Sequence, residues 1–243
     1  MTALARQTTA LPPLAAPSAT TAEITLGGVA CALDLSGALY MPHEDTLVVA
    51  DLHLEKGSSL ARRGSLLPPY DTRTTLLALS GVIGRYNPRR VLALGDSFHD
   101  VGGPERLGDG DAEMLAALQA GREWVWIVGN HDPSLPEALP GDVVADLAMG
   151  DLLLRHAPEI GAACELAGHL HPVGKVVRRG GGVRRRCFVT DGRRCVMPAF
   201  GAYAGGLNVC DPAFQPLFPK GFSAHVIGGE RLFAIGRSLL CAD

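Results

Sequence analysis

Aromatic residues make up only 5% of this 243-residue chain, too few for base stacking to serve as a main mode of recognition. Charged residues reach only 19%. The six cysteines, Cys31, Cys164, Cys187, Cys195, Cys210 and Cys241, form no C-x-x-C pair, which argues against a zinc ribbon or a thioredoxin-type redox site. They are expected as reduced, small core residues. No uninterrupted apolar run approaches the roughly 18 residues needed to span a bilayer. The first 20 residues, rich in Ala, Thr and Pro, hold no apolar stretch ahead of a cleavage site. Residues 1–20 are therefore expected as a flexible leader and 21–243 as a single domain, cytoplasmic and without membrane association. What is present is apolar: 47% hydrophobic residues and a mean hydropathy of +0.17 can build a full core and do not fit disorder.

The net charge of −3 hides an asymmetry. Lys175, Arg178, Arg179, Arg184, Arg185, Arg186, Arg193 and Arg194 face only Asp191 within residues 175–194, a net +7 that leaves the rest of the chain at −10. Such a run is either the solvated face of a hairpin or a patch that attracts a phosphate backbone. Arg62, Arg63, Arg73, Arg184, Arg185 and Arg186 are the candidates for phosphate contact.

Residues 24–26, 29–33 and 47–50 are short apolar runs that read as strands. A helix is predicted from Asp71, a plausible N-cap, because Leu76, Leu79, Ile83 and Tyr86 recur at three- and four-residue spacing. Pro88 stops it, and 91–94 forms the next strand. A second helix is expected from about Asp111, then a strand at 125–128. Three apolar strands thus end beside a candidate ligand, the geometry of an α/β sheet whose carboxyl edge carries a site. Beyond residue 143 the pattern becomes one of hairpins. Residues 143–148 and 152–155 pair around Met149-Gly150, strands follow at 175–177, 183–189 and 194–199, and 224–227 pairs with 231–235. An antiparallel meander is expected here, and two sheets packed face to face with helices outside is the simplest solution.

Six of the eight histidines fall in short islands: Asp51-Leu52-His53, Gly95-Asp96, His99-Asp100, Gly129-Asn130-His131-Asp132, His156 and Gly168-His169-Leu170-His171. His43 and His225 lie outside them and read as ordinary packing or surface residues. Imidazole with carboxylate and carbonyl oxygen is the mixture that borderline divalent metals accept. In extended chain, residues two apart leave the same face, so Asp51 with His53, and His169 with His171, can converge. Asp96 stands at a strand end, where a carboxylate can bridge two cations. Together Asp51, His53, Asp96, Asn130, His156, His169 and His171 are too many for one tetrahedral ion and suit two ions sharing a bridge. Two such ions, about 3.5–4 Å apart, acidify a water and clamp an in-line displacement at phosphorus. His131 is the expected proton donor to the departing oxygen, with Asp132 either orienting that imidazole or supporting the site from behind. Mn²⁺ is the expected metal, though Fe and Zn²⁺ accept the same donors.

The order D-x-H, G-D, G-N-H-D, H, G-H-x-H, over about residues 47–172, resembles that of calcineurin-like metallophosphoesterases. The resemblance implies a four-layer α/β/β/α sandwich of two mixed sheets flanked by helices. It implies one metal on Asp51, His53, Asp96 and His171, another on Asp96, Asn130, His156 and His169, and His131 as the catalytic histidine. Protein phosphatases of this fold carry G-D-x-x-D-R-G, and the arginine is missing from Gly95-Asp96-Ser97-Phe98-His99-Asp100-Val101. That stretch is similar to the G-D-x-F-H variant of double-strand-break repair nucleases, which implies that His99 assists with the phosphodiester. Ala50-Asp51-Leu52-His53-Leu54-Glu55-Lys56-Gly57, Leu67-Pro68-Pro69-Tyr70-Asp71-Thr72 and Gly201-Ala202-Tyr203-Ala204-Gly205-Gly206 resemble the ligase-associated DNA-damage-response endonucleases of bacteria. A DNA phosphodiesterase working beside an ATP-dependent DNA ligase and a helicase is then implied. The competing expectations are a phosphomonoesterase or small-nucleotide phosphatase, and a binding scaffold on the same fold. The scaffold of that kind, a retromer subunit, lacks the catalytic histidine, whereas His131 is present here.

Overall fold

Two β-sheets account for most of the described chain, residues 20–65, 67–178 and 181–243 of a computed structural model. The expected leader, save residue 20, lies outside the described residues, as does Arg179. The first sheet runs in chain order through β1 (Thr21–Leu26), β2 (Val29–Asp34), β3 (Leu39–Met41), β4 (Thr46–Val49), β5 (Arg90–Leu94), β6 (Glu123–Ile127) and β7 (Asp142–Val144). Strands β1 to β4 pair antiparallel and β4 to β7 parallel. All of β4 and the last four residues of β5 and β6 are buried, as expected for parallel strands covered on both faces.

Helices α1 (Lys56–Arg62), α2 (Asp71–Tyr86), α3 (Gly103–Arg106) and α4 (Asp109–Gln119) interrupt these strands. On the outer face, Leu76, Leu79 and Val82 of α2 and Leu115 of α4 pack on Val49, Val91 and Trp126. Asp71 does not cap α2 as expected. It is the first helical residue, and its carboxylate accepts the Gly57 N–H of α1 at 3.0 Å. Thr72 Oγ1 accepts from the Glu55 N–H at 2.8 Å and donates to the Glu55 carboxylate at 2.9 Å. The start of α2 thus satisfies donors that the start of α1 leaves open. A side chain at Gly57 would put a Cβ 2.6 Å from Asp71 Oδ1. Helix α1 was not predicted, because seven residues containing a glycine and two serines carry no periodicity.

The second sheet comprises β8 (Asp146–Met149), β9 (Leu152–Arg155), β10 (Glu165–Ala167), β11 (Pro172–Arg178), β12 (Gly181–Thr190), β13 (Arg194–Val196), β14 (Leu207–Asn208), β15 (Ser223–Ile227) and β16 (Leu232–Gly236). Its order is β14-β11-β12-β13-β10-β9-β8, with β15 and β16 added on β12. The run 143–148 is not one strand: β7 ends the first sheet and β8 begins the second, with Ala145 between them. Nor is this half a pure antiparallel meander, since β10 lies parallel to both β9 and β13. The nine residues after β9 let the chain cross back before β10 begins, so the strands need not reverse.

Leu33, Val48, Leu92 and Ile127 of the first sheet meet Leu154, Leu166, Phe188 and Met197 of the second in a continuous buried seam. Each such side chain contributes about 1.5–3 kcal/mol on burial, so the seam holds the two sets of strand ends together. The outer face of the second sheet is covered by Phe214, Leu217, Phe218 and Leu240. These come from irregular chain and a 3₁₀ turn at Pro212–Phe214. Pro212, Pro216 and Pro219 recur too closely for an α-helix to form there.

Candidate metal centre

Each candidate ligand follows the carboxyl end of a parallel strand. Asp51 and His53 come after β4, Asp96 after β5, Asn130 after β6, His156 after β9, and His169 and His171 after β10. The segments carrying them are not extended, as the two-residue spacing suggested. Asp51 (φ 53°), His53 (45°), Asp96 (47°), His169 (69°) and His171 (45°) are left-handed, five of the eight such non-glycine residues among those described. This backbone costs of order 1–3 kcal/mol per residue and persists only where its surroundings over-determine it. Here they do: His53 N–H donates to Asp96 O at 2.9 Å, Asp51 N–H to Gly95 O at 3.3 Å, and His169 N–H to Asp51 Oδ2 at 3.0 Å. Gly95 and Gly129 allow the close approach, for a Cβ would stand 2.4 Å from His156 Nδ1 or 2.2 Å from the Asp96 nitrogen.

The side chains converge in two groups. Asp51 Oδ1 lies 3.2 Å from His171 Nε2, which is 3.3 Å from His53 Nε2. In the other group His156 Nε2 lies 3.0 Å from Asn130 Oδ1, 3.1 Å from His169 Nδ1 and 3.4 Å from Asp96 Oδ2. Ligand atoms about 2.0–2.2 Å from one ion stand roughly 3–3.5 Å apart, which is the spacing found. His156 Nδ1 donates to Leu94 O at 3.0 Å, so its Nε2 presents a lone pair to an amide oxygen, a carboxylate and a second imidazole. Electron-pair donors meeting in this way call for a cation, and the donor set fits a divalent metal.

Electrostatics agree with that fit. Burial, then the charge on His171, pushes His53 down to about 3. Burial and neighbouring His131 and Lys56 push His99 down to about 4. In the metal-free protein burial opposes ionisation of Asp96, yet a protonated His156, whose Nε2 then also carries a hydrogen, and the His131 N–H hold it at about 2. At neutral pH His53 and His99 are neutral and Asp96 is charged, the states that bind metal.

His131 stands at the mouth. Its Nδ1 is 2.7 Å from the His99 carbonyl, which can only accept, so Nδ1 carries the hydrogen and Nε2 faces inward, 4.0 Å from Asp96 Oδ2. The residue that orients His131 is therefore His99, through its main chain. Asp132 lies behind the site: buried, it accepts the N–H groups of Asp96, Phe98 and Gly129, each at 3.0 Å. His99 itself reaches His53, Nδ1 to Nδ1, at 3.4 Å. Asp100 points away and grips Arg106 through two bonds of 2.8 and 2.9 Å.

The arginines divide. Arg62 and Arg63 are exposed at the end of α1, and the Arg63 charge helps to lower His99. Lys56, whose own ammonium burial disfavours, acts on His99 in the same way; among the candidate cations it was missed, although the His53-to-Gly57 motif contains it. Arg73 pairs with Asp111 at 2.5 Å on the α2–α4 surface. Arg185 is exposed, while Arg184 bonds Gly206 O and Asp243. Arg186 turns inward to Ala199 O at 2.7 Å, and Arg194 is buried against Glu165. Residues 175–194 are thus not one charged face. Gly201 of the second sheet's loop docks its N–H on Asp51 O at 3.1 Å, where a Cβ would stand 2.3 Å from Leu52 O. All six cysteines are free, and burial pushes Cys31 and Cys187 up to about 12, so these two stay as thiols.

No family model and no curated protein matches the chain. Among solved structures, the nuclease MPE of Pseudomonas putida is similar at 28% identity and a TM-score of 0.71, over 88% of this chain and 100% of its own. Yfce, a phosphoesterase from E. coli, is 14% identical over 79% of this chain and 98% of its own, with a TM-score of 0.37. A predicted phosphoesterase from Streptococcus pneumoniae is 16% identical over 79% and 97%, with a TM-score of 0.31.

Proposed function

We propose that this chain is a metal-dependent phosphoesterase of the calcineurin-like fold that uses two divalent ions to hydrolyse nucleic-acid phosphodiesters. The observation that carries the reading is the convergence of Asp51, His53 and His171 and of Asp96, His156 and His169, with a third group of His53, His99 and His131 beside them. Asp51, His53, Asp96 and His171 would hold one ion, and Asp96, Asn130, His156 and His169 the other. Mn²⁺ is the proposed metal, with Fe and Zn²⁺ compatible with the same donors. Bound there, the ions would supply an acidified water and neutralise phosphate charge. The His99 carbonyl holds the His131 Nδ1–H, so that Nε2 can deliver a proton to the departing oxygen as the P–O bond breaks. Lys56 and Arg63, whose charges act on His99, suit a strand carrying several phosphates better than a small monoester.

The similarity to a nuclease supports the same substrate class. A DNA-repair endonuclease acting beside an ATP-dependent DNA ligase and a helicase, as a single cytoplasmic domain over 21–243, is the specific form we propose. The test compares Mn²⁺-dependent rates on bis(p-nitrophenyl) phosphate and p-nitrophenyl phosphate, then on single-stranded, duplex and nicked DNA across a salt series. Faster diester hydrolysis and salt-sensitive DNA cleavage are expected. Strong activity on monoesters alone would reverse the reading. His131→Ala should keep its metals and lose about 10²–10⁴ in kcat; full turnover by that variant would remove the proton-donor role.

A further inference from the structure

The β11–β12 hairpin starts directly after His171, and in its register Lys175 stands opposite Arg184. Cross-strand partners share a face, and like charges set opposite one another destabilise the pair. Arg184 is tied back toward the metal centre, because its Nη2 donates to Gly206 O at 2.7 Å and the next residue, Leu207, donates its N–H to His171 O at 3.1 Å. A depression of about 400 Å³ lined by Val173, Arg184, Arg186, Gly206 and Gly228 opens beside it.

The anion found at this point is the side chain of Asp243, with oxygens 3.1 and 3.3 Å from Arg184 Nε. The chain leading to it is seated on β11: Cys241 N–H donates to Lys175 O at 3.0 Å, and Asn208 Nδ2 to Cys241 O at 3.1 Å. The carboxylate is delivered to Arg184 by this docking, with the Lys175 charge near enough to act on it, yet the Arg184–Asp243 pair is half-exposed, at 42% for Arg184 and 52% for Asp243. An exposed pair of this kind is weak and exchangeable. A polyanion that releases counterions on contact competes with it well.

We propose that Lys175 and Arg184 form a backbone-phosphate seat on the nucleic-acid path leading away from the metal centre, held in the free protein by the Asp243 carboxylate until a phosphate displaces it. The proposal rests on the nucleic-acid reading above. The test is binding of fluorescein-labelled duplex DNA to the full chain, with divalent metal chelated, by anisotropy across a NaCl series. Lys175→Gln with Arg184→Gln should weaken binding about tenfold and lower the log–log salt slope by about one to two. Asp243→Asn should tighten binding about threefold, and that gain should vanish in the background of the double variant. If the wild type binds DNA but Asp243→Asn changes only the melting temperature, Asp243 is a tail anchor and the seat is wrong. If the wild type binds no DNA at any salt, the nucleic-acid reading fails first and the seat falls with it.

Discussion

In the first sheet, β4, β5 and β6 run parallel, each ends at a ligand-bearing turn, and α2 and α4 cover the outer face. In the second, β9 and β10 run parallel and end at His156 and His169, but a proline-broken segment stands where helices would pack. The carboxyl ends of parallel strands are common to both halves of the centre, and helical cover is not. What fastens the cover also differs. Trp126, Trp124 and Phe98 cluster with α2 and α4 on the first sheet. On the second, buried Arg194 pairs with Glu165 and donates to Leu217 O in the covering chain and to Glu159 O.

The largest effect should come from cutting the link between the halves. Asp96 accepts from the His131 N–H and faces His156 across the seam. Asp96→Ala should lose bound metal and at least about 10²–10³ in turnover, the scale of deleting one stabiliser of transition-state charge. Elemental analysis finding two ions still held would break the idea of one centre shared by both sheets. A smaller effect tests the polar clamp. Arg194→Met leaves Glu165 buried and unpaired and should cost about 3–5 kcal/mol in urea denaturation, most of it recovered by adding Glu165→Gln. Stability equal to wild type would mean that apolar packing alone secures the second cover.

The smallest effect is the pH dependence of the metal-free protein, where His156 differs in sign from His53, His99 and His169. His53 at about 3 and His99 at about 4 lie below an unfolded value of roughly 6.5. The unfolded chain takes up protons first as pH falls, so their contribution is present above roughly 6.5 and is lost toward 4 for His99 and toward 3 for His53. Asp96 and Asp100, each held at about 2, contribute above roughly 3.9 and lose that contribution as pH falls toward 2. His156 opposes the first trend: burial disfavours its charge, but Asp96 and Asp51 raise it. Its contribution is present below roughly 6.5 and is lost as pH rises through the raised value. His99→Gln should flatten the limb between pH 6.5 and 4 in a melting-temperature profile, and His156→Gln should flatten the separate fall in stability as pH rises above roughly 6.5. Superimposable profiles for both variants would contradict this account.

How much was legible follows from where each signal resides. Strands β4, β5 and β6 were readable because burial on both faces makes an unbroken apolar run. Strand β10 was not, since its three residues carry no period. Helix α2 was readable from its spacing, yet the partner of Asp71 is a main-chain N–H of another helix, 14 residues earlier. Of the three neighbouring arginines at 184, 185 and 186, nothing in the composition distinguishes the inward one. Alternation in β12 sets Arg184 and Arg186 on one face, and only the tertiary neighbours separate them, Gly206 and Asp243 for the first and Ala199 for the second.

Residue types and their order were sufficient to name the side chains that converge at the candidate metal centre, because chemistry that needs imidazole, carboxylate and amide oxygen leaves those letters in the chain. Which atoms face one another was decided only by the tertiary structure. His53 and His171 are 118 residues apart and meet at 3.3 Å because the seam sets the ends of two sheets together and left-handed turns re-aim the side chains there. Neither the packing of one sheet on another nor the sign of a single φ is a local property of the residues that depend on it.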